Sequence, residues 1–119
     1  MAGLVPAIHE PALPPAHRLS HTENMPAAWI YMMTNRPNGI LYLGVTTSLR
    51  HRVWQHREGL IDSFTKRYGL KRLVYVEPHD GIAAAIQRER NMKHWPRTWK
   101  VRLILQTNPE WIDLYDQLL

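Results

Sequence analysis

Five side chains between residues 31 and 89 have the types and spacing for acid–base and anion-binding chemistry. Tyr31 and Tyr42 each carry a hydroxyl that can donate or accept a hydrogen bond. If both tyrosines point to one face of a sheet, those hydroxyls lie close together; the alternative is that both rings only fill space. Gly44 follows Tyr42 by two residues, and a glycine at a strand end either admits close backbone approach or simply bends the chain. Arg52 and His56 are four apart and share a helix face. Arginine grips phosphate oxygens bidentately and histidine moves protons near neutral pH, unless the two are only a solvent-exposed pair. Glu89 sits among Arg88, Arg90 and Lys93. Such a carboxylate either holds one divalent ion, since Mg²⁺ takes oxygen ligands and keeps several waters, or pairs with a neighbouring arginine. No second carboxylate stands near it to make a two-metal site. His79 and His94 are isolated and no HExxH spacing occurs, so zinc is not expected. Neither a P-loop nor a GxGxxG motif is present, so no nucleotide cofactor is implied.

The elements that must position these groups are legible from periodicity and turn chemistry. Trp29-Ile30-Tyr31-Met32-Met33 and Ile40-Leu41-Tyr42-Leu43-Gly44-Val45 read as strands joined by a turn-rich Asn35-Arg36-Pro37-Asn38-Gly39 stretch, hence an antiparallel hairpin. Thr46, Thr47 and Ser48 offer N-caps for a helix in which Leu49, Val53 and Trp54 face the core, closed by Gly59. Residues 61–69 read as a connector anchored by Phe64 and Tyr68. Leu73-Val74-Tyr75-Val76 is a third strand ended by Pro78. Asp80 caps a helix from 81 to 95, with Ile82, Ala85, Ile86, Glu89, Met92 and Lys93 in a 3.6 period, and Pro96 ends it. Residues 97–106 fit helix or strand. Asn108-Pro109 opens a last short helix with Trp111, Leu114, Tyr115 and Leu118 on its inner side. The expected architecture is α+β, a small three-stranded antiparallel sheet flanked by helices.

Composition narrows the function. The 119 residues suit one domain. Residues 1–26 hold five of the nine prolines without any period, and are expected to be a disordered tail ahead of a domain spanning 27–119. Met25, just before the first strand, is a candidate start codon. An intact mass of the native product that begins at Met25 is the expected outcome, and a mass beginning at Met1 would exclude it. Cysteine is absent, which removes disulfides and thiol chemistry and agrees with a cytoplasmic protein. No apolar run approaches the ~20 residues of a membrane-spanning helix. Between residues 50 and 102 there are 13 basic and 5 acidic residues, a patch suited to a polyanion. Arg50, His51 and Arg57 widen it beside Arg52, and Lys66, Arg67, Arg88 and Lys93 extend it as candidate nucleic-acid contacts.

The ordered set Trp29-Ile30-Tyr31, Tyr42-Leu43-Gly44, Leu49-Arg50-His51-Arg52 with His56, and Arg88-Glu89 resembles the GIY-YIG nuclease superfamily. It is most similar to the small stand-alone bacterial UPF0213-type branch, which the stretches Phe64-Thr65-Lys66-Arg67-Tyr68 and Asn108-Pro109-Glu110-Trp111 also resemble. The likeness covers residues 27–116. It implies the three-stranded sheet above and an endonuclease that hydrolyses DNA phosphodiester bonds with one Mg²⁺ or Mn²⁺ ion. In its terms Tyr31 and Tyr42 are the tyrosines of the two triplets, Arg52 grips the scissile phosphate, His56 matches a histidine of the homing-endonuclease members, and Glu89 holds the metal. Weakly specific or structure-selective cleavage in DNA repair or recombination is the expected role, with RNA the second choice of substrate. Trp29 stands where the first triplet has glycine, Val45 where nucleotide-excision nucleases carry lysine, and Asn108 is a provisional match to a late asparagine. The rival reading is a non-catalytic module that binds nucleic acid with the same basic face. Glu89 separates the two, because a carboxylate inside a binding patch repels phosphate.

Overall fold

A computed structural model describes residues 25–61 and 63–118. Its centre is β1 (Ala28–Thr34), whose seven residues are all buried. Such a strand must be covered on both faces and paired along both edges. β2 (Leu41–Thr46) and β3 (Arg72–His79) flank it, giving a three-stranded antiparallel sheet in the order β2-β1-β3. The expected α+β class is therefore observed. Helices follow as α1 (Leu49–Arg57), α2 (Phe64–Tyr68), α3 (Ile82–Lys93) and α4 (Arg97–Thr107), with a 3₁₀ turn at Tyr115–Gln117. Most of the expected tail, residues 1–24, lies outside the described residues. Among the described residues no helix is long and apolar enough to cross a membrane.

Alternation along β1 divides the core. Trp29, Tyr31 and Met33 face Leu49 and Val53 of α1, together with Leu70 and Leu118. Ile30 and Met32 face Met92 of α3, Leu103 and Ile104 of α4, and Trp111. β3 does not alternate simply. Met32 opposes Tyr75 while Met33 opposes Leu73, so Val74 is an extra residue in a bulge. The bulge lets Leu73 and Val76, three apart, both join the Tyr31 side, and turns Val74 and Tyr75 to the other.

The segment after α4 covers the outer edge of β3 at that bulge. Leu114 N donates to Leu73 O (2.8 Å), and Asp113 accepts from Leu73 N (3.1 Å). Buried Asn108 donates from Nδ2 to Val74 O (3.2 Å) and Ile112 O (2.8 Å), and accepts from Ile112 N (2.9 Å). This pairing bends the chain through Trp111, whose φ of 56° is left-handed, a conformation costing a bulky residue roughly 1–2 kcal/mol. Arg72 holds the strained residue by donating to Trp111 O (2.7 Å).

Several local expectations are corrected. The ambiguous 97–106 segment is helical, and the helix expected from Asn108 is replaced by this irregular edge cover, because Asn108 spends its side chain on the backbone of Val74 and Ile112. Pro78 does not end β3; it pairs opposite Trp29 and is tolerated because β3 is an edge strand. Asp80 does not cap α3, whose N-cap is the extended Gly81 one residue later. Trp54 is exposed and stacks on His51, since the Leu49–Val53–His56 stripe already fills the sheet-facing side of α1. Gly59 does close α1: its φ is +70°, and its N–H reaches His56 O.

Removing the Asn108 side chain leaves the Val74 carbonyl without this donor in a buried setting and releases the turn at Trp111. Asn108→Ala is expected to lower stability by about 2–3 kcal/mol, read as a reduced midpoint in urea unfolding.

Candidate active site

The register of the hairpin builds the centre of the site. Tyr31 on β1 is paired directly with Gly44 on β2, and Tyr42 pairs with Met33, so both tyrosines and Gly44 share the face under α1. A Cβ at Gly44 would fall 2.6 Å from Cζ and from the hydroxyl oxygen of Tyr31. Gly44 is thus needed for the Tyr31 ring to lie across the neighbouring strand, which is a more definite reason than the strand-end bend the sequence allowed.

α1 delivers the third ring. Leu49, Val53 and His56 form its buried stripe, so His56 occupies a position that periodicity reserves for an apolar residue. Tyr31, Tyr42 and His56 form a triangle of rings with centroids 6.1, 5.7 and 5.3 Å apart. The Tyr31 hydroxyl, on a residue only 1% exposed, hydrogen-bonds His56 Nε2 at 2.8 Å. His56 Nδ1 in turn meets Thr65 Oγ1 at 2.7 Å, and Thr65 Oγ1 meets Ser63 Oγ at 2.7 Å. Tyr42 is half-buried and forms the more accessible end of this chain.

Electrostatics set the protonation of the pair. Burial, then the neighbouring Tyr42 hydroxyl, hold the Tyr31 hydroxyl well above the ordinary tyrosine range; the Arg52 charge opposes this and the Glu89 charge adds to it. Burial, then the Arg52 charge, push His56 down to about 4. Both groups are therefore neutral at pH 7. Arg52, one helical turn before His56, is half-buried; its backbone N–H donates to Ser48 O (2.9 Å), and its guanidinium makes no hydrogen bond or ion pair among the described residues.

Glu89 lies on the buried stripe of α3 with Ala85 and Met92 and pairs with Lys93 at 2.7 Å. Among the described residues no group of three His, Cys, Asp or Glu side chains could cage a metal ion. One nearly buried carboxylate does fit Mg²⁺ or Mn²⁺, which accept a single protein oxygen when waters and substrate phosphate complete the shell. Lys93 would have to yield that carboxylate.

The candidate contacts are not equally available. Arg88 donates two hydrogen bonds to Glu77 (3.0 and 2.9 Å) and lies over the Trp95 ring, so it works as an internal brace. Burial alone would raise Glu77, but the hydrogen bonds and charge of Arg88, aided by His79 and Tyr75, outweigh it and hold the carboxyl below its usual range. Arg50 donates to Leu118 O (2.8 Å), and Arg57 pairs with Asp113 over the Tyr115 ring. Both fasten the C-terminal segment. His51, Lys66 and Arg67 are exposed. Phe64 and Tyr68, expected as buried anchors, are instead 45% and 42% exposed and packed on each other at 4.7 Å. Their helix is anchored from its other side by Thr65, which is 1% exposed. Sequence reasoning misses Thr65 and Ser63. The signal available is a Ser-x-Thr pair at the start of a five-residue helix.

The hairpin with its two tyrosines, the helix bearing Arg52 and His56, and the helix bearing Glu89 all fall within one recognised sequence family. A profile of the GIY-YIG catalytic domain matches residues 27–102. The chain belongs to the GIY-YIG family, whose members are nucleases, and is of the UPF0213 type. It is 32% identical over 76 residues to a UPF0213 protein of Oceanobacillus iheyensis, covering 64% of this chain and 87% of that one. A UPF0213 protein of Natronomonas pharaonis is 38% identical over 64 residues, covering 54% and 75%. One from Vibrio cholerae is 28% identical over 87 residues, covering 72% and 86%. No solved structure matches the chain.

The depressed His56 value has a consequence for stability. An unfolded histidine binds a proton near pH 6.5, whereas folded His56 resists protonation down to about 4. Between those values the unfolded state binds more protons, so its share of stability is present above pH 6.5 and is lost as pH falls. The melting temperature is expected to drop from pH 6.5 toward pH 4, and to drop less in His56→Gln, as followed by circular dichroism.

Proposed function

We propose that this chain is a metal-dependent endonuclease that hydrolyses phosphodiester bonds in DNA. One observation carries the reading: the buried Tyr31 hydroxyl is held at 2.8 Å by His56 of α1, the helix that also bears the half-buried Arg52, and the Arg52 and Glu89 charges both bear on that hydroxyl, which supports a shared site for cation, carboxylate and phenol. A merely nucleic-acid-binding surface has no use for a buried carboxylate there.

In this reading Arg52 binds the scissile phosphate and stabilises the negative charge that builds on it during attack by water. Tyr42, at the accessible end, orients that water, with Tyr31 and His56 behind it as the proton-handling groups. Glu89 is the residue that would hold the divalent ion. When bound, the ion neutralises charge on the phosphate and the leaving oxygen. His51, Lys66 and Arg67 are available for the DNA backbone. The exposed Phe64–Tyr68 pair beside Lys66 and Arg67 suits unpaired bases, which stack on aromatic rings beside cationic side chains. This supports structure-selective or weakly specific cleavage.

The test is cleavage of duplex, single-stranded and branched DNA, with RNA of matched sequence, in Mg²⁺ and in EDTA. The wild type is expected to cut in Mg²⁺ only and to favour DNA with unpaired bases. Glu89→Ala is expected to abolish cutting, and Arg52→Ala to lower kcat by about 10²–10³-fold, with folding retained by circular dichroism. Full activity in both variants would overturn the assignment. Mg²⁺-independent binding never followed by cleavage would establish the binding module instead.

A further inference from the structure

Tyr31 and His56 are 1% and 2% exposed. A proton taken from the attacking water therefore arrives at groups with no direct access to solvent. It cannot rest on His56 either. Burial and the Arg52 guanidinium both disfavour an imidazolium; the ring's neighbours from the other elements are the hydroxyls of Tyr31 and Thr65 and the Tyr42 ring, and the Glu89 charge bears on the pair through Tyr31.

The way out lies behind the histidine. Tyr31 OH, His56 Nε2, His56 Nδ1, Thr65 Oγ1 and Ser63 Oγ are joined by three hydrogen bonds of 2.8, 2.7 and 2.7 Å, and Ser63 is partly exposed. Each group brings one mobile hydrogen, so the chain has two complete arrangements. In one, Tyr31 donates to Nε2, Nδ1–H donates to Thr65, Thr65 donates to Ser63, and Ser63 donates to solvent. In the other every bond is reversed and the imidazole is the opposite tautomer. Conversion of the first into the second passes one proton through a histidine that is neutral before and after.

We propose that Thr65 and Ser63 complete a proton relay, Tyr31–His56–Thr65–Ser63, that discharges to solvent the proton released from the attacking water. The proposal rests on the nuclease reading. As the water oxygen bonds to phosphorus and the bond to the leaving oxygen breaks, the water's proton enters at the tyrosine pair. The Tyr31 proton moves to Nε2, that of Nδ1 to Thr65, that of Thr65 to Ser63, and that of Ser63 to bulk water. The leaving oxygen takes a proton from solvent, so charge and hydrogen balance. Thr65 and Ser63 are positioning and relay residues and touch no substrate.

The experiment compares wild type, Thr65→Val, Thr65→Ser and Ser63→Ala. Thr65→Val keeps the side-chain shape and deletes the hydroxyl. It is expected to lower kcat about tenfold or more with KM unchanged, and to straighten a proton inventory in H₂O–D₂O mixtures that is curved for the wild type. Thr65→Ser is expected to restore both. On the protein without DNA, ¹⁵N NMR of the His56 ring is expected to show exchanging tautomers in the wild type and one fixed tautomer in Thr65→Val. Wild-type kcat and an unchanged inventory in Thr65→Val would overturn the relay while leaving the nuclease reading intact. If Thr65→Val melts early, Ser63→Ala decides: reduced kcat supports the relay and wild-type kcat overturns it. A wild type that cuts no DNA overturns the nuclease reading, and the relay with it.

Discussion

A phenol placed inside a protein needs a hydrogen-bond partner, or it forfeits the hydration it gave up, at a cost of roughly 1–3 kcal/mol. Tyr31 meets this constraint at the middle of the central strand, where both faces are covered. Much of the site answers to it. The ring needs space, which Gly44 yields on the paired strand. The hydroxyl needs a partner, which puts a histidine on the buried stripe of α1. The far nitrogen of that histidine needs its own partner, which draws Thr65 inward and turns its helix so that Phe64 and Tyr68 face out. One buried oxygen thus links the packing of the sheet to a short surface helix.

Charge is divided as strictly as volume. α3 presents Arg88 and Glu89 side by side in sequence, yet they have different employments. Arg88 neutralises Glu77 in a closed network with Tyr75 and His79, and this ties α3 to the edge strand. Glu89 pairs with the flexible end of Lys93, a partner more than half exposed. The first carboxylate is held by several donors inside the fold, and the second by one flexible lysine at its rim. The basic patch divides likewise: Arg50 and Arg57 hold the C-terminal segment, while Lys66 and Arg67 stand free of such duties at the surface.

The sequence is legible where one local rule acts alone. The hairpin and the helices α1 and α3 follow from apolar spacing and turn chemistry, and with them the elements carrying Tyr31, Tyr42, Arg52, His56 and Glu89; the inward faces follow only in part, since Trp54 and Ile82, both expected on the apolar side, lie exposed. A turn-rich stretch between two apolar runs is enough to bring the tyrosines onto neighbouring strands. Legibility fails where a distant backbone group decides. Asn108-Pro109 looks like a helix start, but Asn108 is recruited by the Val74 carbonyl more than thirty residues away. The bulge itself has no marker within Leu73-Val74-Tyr75, since three apolar residues read the same with or without it. Phe64 and Tyr68 look like anchors by type, and only the demand of His56 for a hydroxyl reveals that Thr65 is the residue facing in.

The contact between Tyr31 and Gly44 also bears on how such a site can change over generations. A side chain at Gly44 would meet the phenol at 2.6 Å, and a ring that is 1% exposed and bonded to His56 shifts only by giving up that contact, so substitution at position 44 is disfavoured while Tyr31 keeps its ring. Loss of the Tyr31 ring first removes that barrier, after which position 44 can drift and then blocks the tyrosine's return. The pair behaves as an evolutionary ratchet: the order of mutations matters, and a lineage that once abandons the phenol recovers it only by reversing both steps.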